Sequence, residues 1–283
     1  MNYLTGYTIK PSQITSLGEV IFTDGTNTEI RANQVQCEVY GYTYDKASGT
    51  CRAFRYNTNL NRNISNINNK INGPRNTTEL GSSTVQINGS NNTTKGFNNN
   101  CFINGNANEI ANGVNNSTAV GTLAEATATG SIVLGGNTSG DVLGERQSIT
   151  IMFGTTTTTN ADVDSYLNND GESYFEIPIN SIISFQTQTI AIRIGGSAGG
   201  GDVGDYKFFV EEGAAIRDST GLVTVNKTRT TVVNNGTVGT PNVVGRGPIF
   251  SQEVTGANNR IIEWVTTMRI TELKTGIDLP TPP

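Results

Sequence analysis

The chain has 283 residues, of which only 15% are charged, and it carries a formal net charge of −5 with no histidine. The lack of histidine excludes Ser-His-Asp and Cys-His catalysis and histidine-based zinc sites, and the acidic balance without a basic cluster argues against nucleic acid as a partner. No stretch approaches the about 20 apolar residues of a membrane span, so we expect no membrane insertion, and we expect neither a cofactor nor a metal.

Residues 1–56 alternate apolar and polar side chains, which predicts a small unit of antiparallel strands that attaches the chain to a particle. An aromatic hairpin, with Val35–Tyr44 as one strand and Thr50–Tyr56 as the other, is the candidate attachment surface. The alternative is that these rings fill the core of the unit. The attachment candidates are Tyr40, Tyr42, Tyr44 and Phe54.

The three cysteines are Cys37, Cys51 and Cys101. In the predicted hairpin Tyr44 faces Thr50, so Cys37 and Cys51 are not opposite each other. We therefore expect small buried thiols and no disulfide.

Residues 57–80 are rich in asparagine and have little strand pattern. Leu60, Ile64, Ile67 and Ile71 are spaced 4, 3 and 4 residues apart, which is the apolar stripe of a heptad repeat and is compatible with a short trimeric coil. Asparagine is a poor helix former, so an extended connector is the preferred prediction for this segment.

Residues 81–144 contain one short phrase four times, and its copies end at Gly89, Gly105, Gly121 and Gly135, spaced 16, 16 and 14 residues apart. A second glycine follows each copy. Such a period, with two short extended segments per repeat, indicates the stacked turns of a β-roll or β-helix.

Each repeat offers one or two large apolar side chains, too few to offset the backbone entropy of a turn standing alone. We therefore predict an obligate homotrimer, in which three chains cover one another's apolar residues and strand edges. The candidates for the trimer core are Ile87, Phe102, Ile103, Val120, Ile132, Leu134 and, further along the chain, Trp264.

The segment Ser131-Ile132-Val133-Leu134-Gly135-Gly136-Asn137, with its weaker copies upstream, resembles the repeats in the heads of trimeric autotransporter adhesins. The same repeats occur in bacteriophage tail fibres. The resemblance covers about a fifth of the chain, and it implies a trimeric fibre. Asn88 and Asn104 depart from it, because they stand where an aliphatic residue is usual.

Residues 145–276 return to alternating strands separated by turns rich in Gly, Asn and Asp, which predicts an antiparallel β-sandwich, followed by a tail at 277–283. The order of Phe175-Glu176-Ile177-Pro178, a long strand ending at Ile192-Arg193, and Ile262-Glu263-Trp264 resembles the trimeric β-sandwich tip of phage tail fibres. The resemblance implies that this part is the distal end of a fibre.

Without histidine, only paired carboxylates remain for hydrolysis. Asp202 with Asp205, and Glu211 with Glu212, are candidates by residue type, but we expect solvated charges and no enzymatic activity. Asp202 and Asp205, together with Asn234 and Asn235, lie in loops and are instead the receptor-binding candidates.

The sequence thus predicts an all-β homotrimeric fibre, with an N-terminal β unit, a β-roll shaft and a C-terminal sandwich tip. We expect a virion protein on the tail or particle surface of a tailed phage, folded in the host cytoplasm, that binds other virion proteins and a host-surface glycan or protein. One alternative is a capsid- or neck-attached fibre or decoration protein that stabilises the particle, and another is a polysaccharide depolymerase tailspike.

Overall fold

The computed structural model describes residues 3–15, 18–46, 48–53, 68–197 and 201–280. The chain forms two compact units, Met1–Ile64 and Ser65–Pro283. Within the described residues the secondary structure is almost entirely β, with a single six-residue helix. The prediction of an all-β protein is confirmed.

The first unit contains two short antiparallel strand pairs and the helix. Its elements are β1 (Lys10–Ile14), β2 (Val20–Thr23), α1 (Gln34–Val39), β3 (Thr43–Asp45) and β4 (Thr50–Arg52). β1 pairs with β2, and β3 pairs with β4. Residues from all parts of the unit, Phe22 and Ala32 among them, are fully or almost fully buried in one small core.

The segment around Cys37, predicted as a strand, is helical. The side chain of Asn33 accepts a hydrogen bond from the backbone N–H of Gln36, and the side chain of Gln36 accepts one from the backbone N–H of Asn33. This capping box satisfies two backbone donors at the start of the helix. The Asn-x-x-Gln spacing is the sequence signal for it, although the aromatic alternation that follows favours a strand.

The expectation that Cys37 and Cys51 remain free thiols is wrong, because they form a disulfide with Cα atoms 5.5 Å apart. Two features account for the error. Cys37 lies on the helix, so strand register does not govern where its side chain points. The hairpin also pairs Tyr44 with Cys51, one residue away from the predicted register. Cys101 is a buried free thiol, as expected.

The second unit begins with a parallel β-solenoid of about four turns. Its long face consists of β5 (Lys70–Asn72), β7 (Gln86–Ser90), β9 (Phe102–Asn106), β11 (Thr118–Thr122) and β13 (Ile132–Gly136), and its short face of β6 (Thr77–Thr78), β8 (Thr93–Thr94), β10 (Glu109–Ile110) and β12 (Glu125–Ala126). Equivalent residues of successive repeats stack in register. The predicted solenoid is confirmed.

The solenoid encloses its own core. Ile87, Ile103, Ala119 and Val133 stack in one column on the long face, all of them almost completely buried. On the short face Thr78, Thr94, Ile110 and Ala126 form a second column. Because the two faces cover each other, these side chains are buried within a single chain.

A ladder of asparagines runs along the inside of the solenoid. The side-chain oxygen of Asn92 accepts from the backbone and side-chain N–H groups of Asn108, at 3.0 and 3.1 Å, and the oxygen of Asn108 accepts from the backbone N–H of Ala124 at 2.8 Å. The Asn108 amide also donates to the carbonyl of Gly121. The ladder therefore satisfies backbone groups at the corners that the strands leave unpaired.

Residues 70–78 contribute β5 and β6, although they belong to the segment 57–80 that is predicted as an extended connector. Ile71-Asn72 stacks on Ile87-Asn88 sixteen residues later. The phrase Ile-Asn-Gly at 71–73 repeats that at 87–89, so the signal for this extra turn is present in the sequence. Ile71 is a strand residue, whereas the other three positions of the predicted heptad stripe, Leu60, Ile64 and Ile67, lie outside the described residues.

The rest of the second unit is antiparallel. Its strands are β14 (Arg146–Thr157), β15 (Asp162–Leu167), β16 (Phe175–Glu176), β17 (Ser181–Gly195), β18 (Tyr206–Arg217), β19 (Val223–Asn235), β20 (Thr240–Arg246), β21 (Ile249–Thr255) and β22 (Ile261–Lys274). The five long strands lie in the order β19-β18-β17-β22-β14. β14 also pairs with β13, which joins this sheet to the long face of the solenoid.

The shorter strands β15, β16 and β20 pair with β21, and this group packs over the long sheet. The rings of Phe185 on β17 and Phe250 on β21 meet edge to face, with centroids 5.0 Å apart. The column of buried residues in the solenoid continues through Ile149 on β14 to Ile270 on β22. Solenoid and antiparallel part therefore share one continuous core.

Candidate functional site

A cleft of about 350 Å³ lies where the last solenoid turn meets the antiparallel part. The residues around it come from β12, from the segment around β16 and from the ends of β18 and β22, and they combine carboxylates, cations, a phenol and apolar side chains. They are Glu125, Thr127, Tyr174, Glu176, Ile177, Pro178, Arg217 and Lys274.

Glu125 and Lys274 form an ion pair on one side of the cleft. Glu125 is placed by β12, and its backbone N–H donates to the side-chain oxygen of Gln147 at 3.0 Å. Lys274 ends β22, and its Nζ also donates to the carbonyl of Leu143 at 3.2 Å. Both charged side chains are only 20% exposed, so the pair is a fixed part of the cleft wall.

Arg217, at the end of β18, is held by backbone carbonyls. Its Nη1 donates to the carbonyl of Ile177 at 2.7 Å, and its Nε donates to the carbonyl of Gly221 at 3.2 Å. The guanidinium is 3.9 Å from a carboxylate oxygen of Glu176, whose side chain is 62% exposed. A long contact to an exposed partner contributes little electrostatic energy, so backbone carbonyls position this cation.

Tyr174 stays protonated at neutral pH. Its hydrogen bond with Tyr166 and its burial, together with the nearby Asp164 carboxylate, raise the pKa of Tyr174 to about 12. The rings of Tyr174 and Tyr166 lie 5.2 Å apart. The Tyr174 hydroxyl donates to Asp164 Oδ2 at 3.5 Å, so what it offers to a ligand in the cleft is an acceptor oxygen.

A third carboxylate, Glu272, lies behind the cleft wall and is 2% exposed. Burial raises the pKa of Glu272, and the hydrogen bond that it accepts from Gln147 at 3.1 Å opposes this effect only in part. Glu272 precedes Lys274 by two residues, and the charges of Lys274 and Glu125 both act on it. Because it is buried, Glu272 belongs to the support of the cleft and not to its surface.

This arrangement can bind and polarise a sugar chain. Two carboxylates in one cleft are the groups that glycoside hydrolysis requires. Arg217 can hold an anionic substituent, and Ile177 with Pro178 offers an apolar surface for a sugar ring.

A larger concavity, of about 400 Å³, lies on the long sheet around Trp264, Ile190 and Val265. Among the residues that line it, Glu263 is the only charged one. It therefore lacks the pair of acidic groups and the cations that distinguish the cleft.

The carboxylates singled out in the sequence are not part of the cleft. Glu211 is completely buried, where it accepts hydrogen bonds from Lys227 Nζ at 2.9 Å and Gln252 Nε2 at 3.2 Å, whereas Glu212 is exposed on the opposite face of β18. Burial lowers the pKa of Lys227, and the contact with Glu211 opposes that shift. The Glu211 pair therefore supports the packing of the two layers.

The receptor-loop candidates are brought together at one end of β18 and β19. Asp205 Oδ2 accepts from the backbone N–H groups of Asp202 at 3.1 Å and Thr237 at 3.2 Å, so it ties two loops to each other. Asn234 and Asn235 are exposed opposite the start of β18. Their role in receptor binding stays a prediction.

The tyrosines proposed for attachment pack against the core of the first unit. Tyr40 donates to the carbonyl of Ile9 at 2.7 Å, and its ring meets Phe22 edge to face. Tyr42 and Tyr44 are half-buried beside the same core. Phe54 lies outside the described residues.

The predicted trimer-core residues are divided between the inside and the outside of the chain. Ile87, Ile103 and Trp264 are buried within the chain itself, and Trp264 donates to Thr157 Oγ1 at 2.9 Å. Phe102 and Val120 are half-buried. Ile132 and Leu134 are each 53% exposed on the outer face of β13.

Within the described ranges, no group of three or more His, Cys, Asp or Glu side chains could hold a metal ion. No helix in the described part of the chain has the length and apolar character needed to cross a membrane.

No protein-family model and no curated protein matches the chain. Solved structures similar to it include the tailspike protein of Acinetobacter baumannii phage AM24, at 11% identity and a TM-score of 0.28, covering 74% of this chain and 50% of that one. Another is a tailspike of Acinetobacter baumannii bacteriophage Fri1, described as a capsular polysaccharide depolymerase, at 10% identity and a TM-score of 0.27, covering 71% and 41%. A third is the tailspike of Acinetobacter phage vB_ApiP_P1, at 7% identity and a TM-score of 0.20, covering 73% and 47%.

The chain thus spans about half the length of the tailspikes that it matches. Against the expectation of no enzymatic activity, one of these structures, the Fri1 tailspike, is described as a capsular polysaccharide depolymerase. The sequence alone did not single out Glu125, Glu176, Arg217 or Lys274. The only local signal near them is the Phe-Glu-Ile-Pro segment at 175–178, which the resemblance to fibre tips already includes.

Proposed function

We propose that this chain is a virion-associated tail protein of a bacteriophage that binds and cleaves a polysaccharide on the host surface. The observation that carries the proposal is the convergence of Glu125, Glu176, Arg217 and Lys274 in one cleft. The resemblance of the solenoid repeats to those of phage tail fibres supports the location on a tail. Binding would bring the particle to the cell, and cleavage would open a path through the polysaccharide.

In the proposed reaction, water is added across a glycosidic bond. The carboxyl groups of Glu125 and Glu176 divide the acid and base roles: one donates a proton to the departing sugar oxygen, and the other takes a proton from the attacking water. Tyr174, whose proton is donated to Asp164, accepts a hydrogen bond from a sugar hydroxyl.

The test uses a panel of purified bacterial capsular polysaccharides, with the release of reducing ends as the measure of cleavage. We expect Glu125→Gln and Glu176→Gln each to lower the rate by about 10²- to 10⁴-fold while binding persists. Glu212→Gln is the matched control, because Glu212 is an exposed carboxylate outside the cleft. Cleavage by both cleft variants at the rate of the unsubstituted protein would refute the assignment.

We further propose that three chains associate side by side, through a surface that includes Ile132 and Leu134. Both side chains are large, apolar and half exposed in the single chain, and covering them would be favourable. Light scattering of the purified protein tests this, since a trimer has three times the mass of one chain. Leu134→Glu is expected to produce a monomer, and a stable monomer before substitution would contradict the proposal.

The first unit is proposed to bind other virion proteins, and the antiparallel part is proposed to form the distal tip. A competing function is that of a capsid- or neck-attached protein that stabilises the particle. Adsorption assays with excess free protein distinguish the two, because a tail protein that binds host polysaccharide competes with the phage and a stabilising protein does not.

A further inference from the structure

Arg217 differs from the other cation of the cleft in how its charge is balanced. Lys274 is engaged by the carboxylate of Glu125 and by a backbone carbonyl. Arg217 is held by two neutral carbonyls, those of Ile177 and Gly221, and its one carboxylate contact, to Glu176, is 3.9 Å long. Arg217 is therefore the cation in this cleft whose charge is least neutralised by its neighbours.

The two carbonyls leave three of the five N–H donors of Arg217, all on its Nη1 and Nη2 atoms, for a planar anion. A guanidinium has five N–H donors in a rigid fork, and the two carbonyls engage the Nε and Nη1 atoms of Arg217. Because those bonds fix the plane of the group and its side chain is only 19% exposed, little conformational entropy is lost when an anion binds. A carboxylate is the anion whose geometry matches two neighbouring N–H donors.

The surroundings favour a sugar that carries such a group. Ile177 and Pro178 border the same cleft and offer an apolar surface to a ring, and Tyr174 offers a neutral hydroxyl. Glu176 lies beside Arg217, so it would lie close to the glycosidic bond that joins the bound acidic sugar to the next sugar. An anionic substituent on Arg217 would thus position the adjoining glycosidic bond beside Glu176, one of the two carboxyl groups proposed to act on it.

We infer that Arg217 is a specificity-determining residue and that the polysaccharide substrate contains a sugar acid whose carboxylate binds the Arg217 guanidinium. This inference rests on the proposed function, and it narrows the substrate from polysaccharides in general to those with carboxylated sugars.

The experiment compares an acidic capsular polysaccharide that the protein binds with the same polysaccharide after chemical reduction of its carboxyl groups to alcohols. We expect the affinity for the acidic form to exceed that for the reduced form by about 10- to 100-fold. Arg217→Gln should remove this difference, and Arg217→Lys should retain part of it because the charge persists without the fork.

Arg229→Gln is the matched control. Arg229 also donates to a backbone carbonyl, that of Pro241 at 2.6 Å, but it does not line the cleft, and its removal should leave the preference intact. Thermal melting of each variant identifies any loss of fold, and Arg217→Lys keeps the test decisive if Arg217→Gln unfolds.

Equal binding and cleavage of the acidic and reduced forms would overturn the inference while the proposed function stands. Failure to bind or cleave any polysaccharide of the panel would overturn both. Retention of the full preference by folded Arg217→Gln would also overturn the role of Arg217.

Discussion

The stacked glycines of the long face offer a sharp test of the solenoid. Gly105 has φ +129°, and a Cβ placed on it would lie closer than 3.0 Å to the carbonyl oxygen of Gly121 on the next strand, with the carbonyl carbon of Gly121 at 3.0 Å. The Asn108 amide nitrogen also lies at 3.0 Å, but the atom in closest conflict is a backbone oxygen, so no side-chain rotation relieves the clash. Gly113 also has a positive φ, +74°, but a Cβ there would meet nothing within 4 Å.

Comparing alanine at Gly113 with alanine at Gly105 separates the cost of backbone strain from the cost of the steric clash. Gly113→Ala should cost only the penalty of a left-handed alanine, about 1–2 kcal/mol, less about 0.4–1 kcal/mol gained because the unfolded chain becomes stiffer. Gly105→Ala carries a conformational penalty of about 1–3 kcal/mol and must also push two strands apart. With two ladder hydrogen bonds lost, at about 1 kcal/mol each, the total is about 3–5 kcal/mol.

Thermal unfolding followed by circular dichroism measures the difference. At about 2–4 °C per kcal/mol for a unit of this size, Gly113→Ala should lower the Tm by at most about 6 °C and Gly105→Ala by about 6–20 °C. A similar decrease in Tm for the two variants would show that the glycines of successive repeats do not stack on one another as described.

Three further predictions concern other parts of the molecule. Asn108→Ala should lower the free energy of unfolding, measured by chemical denaturation, by about 2–4 kcal/mol, because it leaves a buried backbone N–H without a partner. Asn112→Ala removes one exposed hydrogen bond and should lower that free energy by under about 1 kcal/mol. Glu272→Gln should stabilise the protein more as the pH rises. Burial raises the pKa of Glu272, so the stability that its protonated form contributes is fully present below the usual glutamate pKa of about 4.3. That contribution is lost as the pH rises through the higher pKa of the folded state, whereas glutamine does not titrate. Parallel urea midpoints for Glu272→Gln and the unsubstituted protein from pH 4 to 8 would contradict this. Replacing Cys37 and Cys51 by serine should destabilise the first unit by about 3 kcal/mol, because the disulfide closes a loop over a sequence separation of 14 and so restricts the unfolded chain. A protease should then cleave the first unit faster, and an unchanged cleavage rate would refute the stabilising role of the disulfide.

Local rules account for both the success and the failure of the sequence-based predictions. The period of the glycines predicted the solenoid, because residues sixteen apart stack on one another and each turn repeats the same backbone conformation. The same rule should have included Ile71-Asn72-Gly73, and a capping box at Asn33 marked the helix that was predicted as a strand. Both signals, the repeated Ile-Asn-Gly phrase and the Asn-x-x-Gln spacing, are short sequence patterns.

The expectation of a marginal single-chain core rests on the number of apolar side chains per repeat, and trimer formation stays a prediction. Within the chain a polar ladder also contributes, because Asn92 and Asn108 satisfy the corners of successive turns. Buried amides that are fully hydrogen-bonded do not carry the desolvation cost of unpaired ones, so a turn poor in apolar residues can still close on itself.

Residue spacing and patterning are enough to indicate the all-β class, the solenoid and its period, and the alternation of the long strands, because each depends on residues close together in the chain. The cleft and the disulfide depend instead on long-range packing. Glu125 and Lys274 are 149 residues apart, and Glu176 and Arg217 come from two further strands. Side chains that lie so far apart in sequence meet only because β13 pairs with β14 and β14 with β22, and no local pattern encodes which ends of those strands converge.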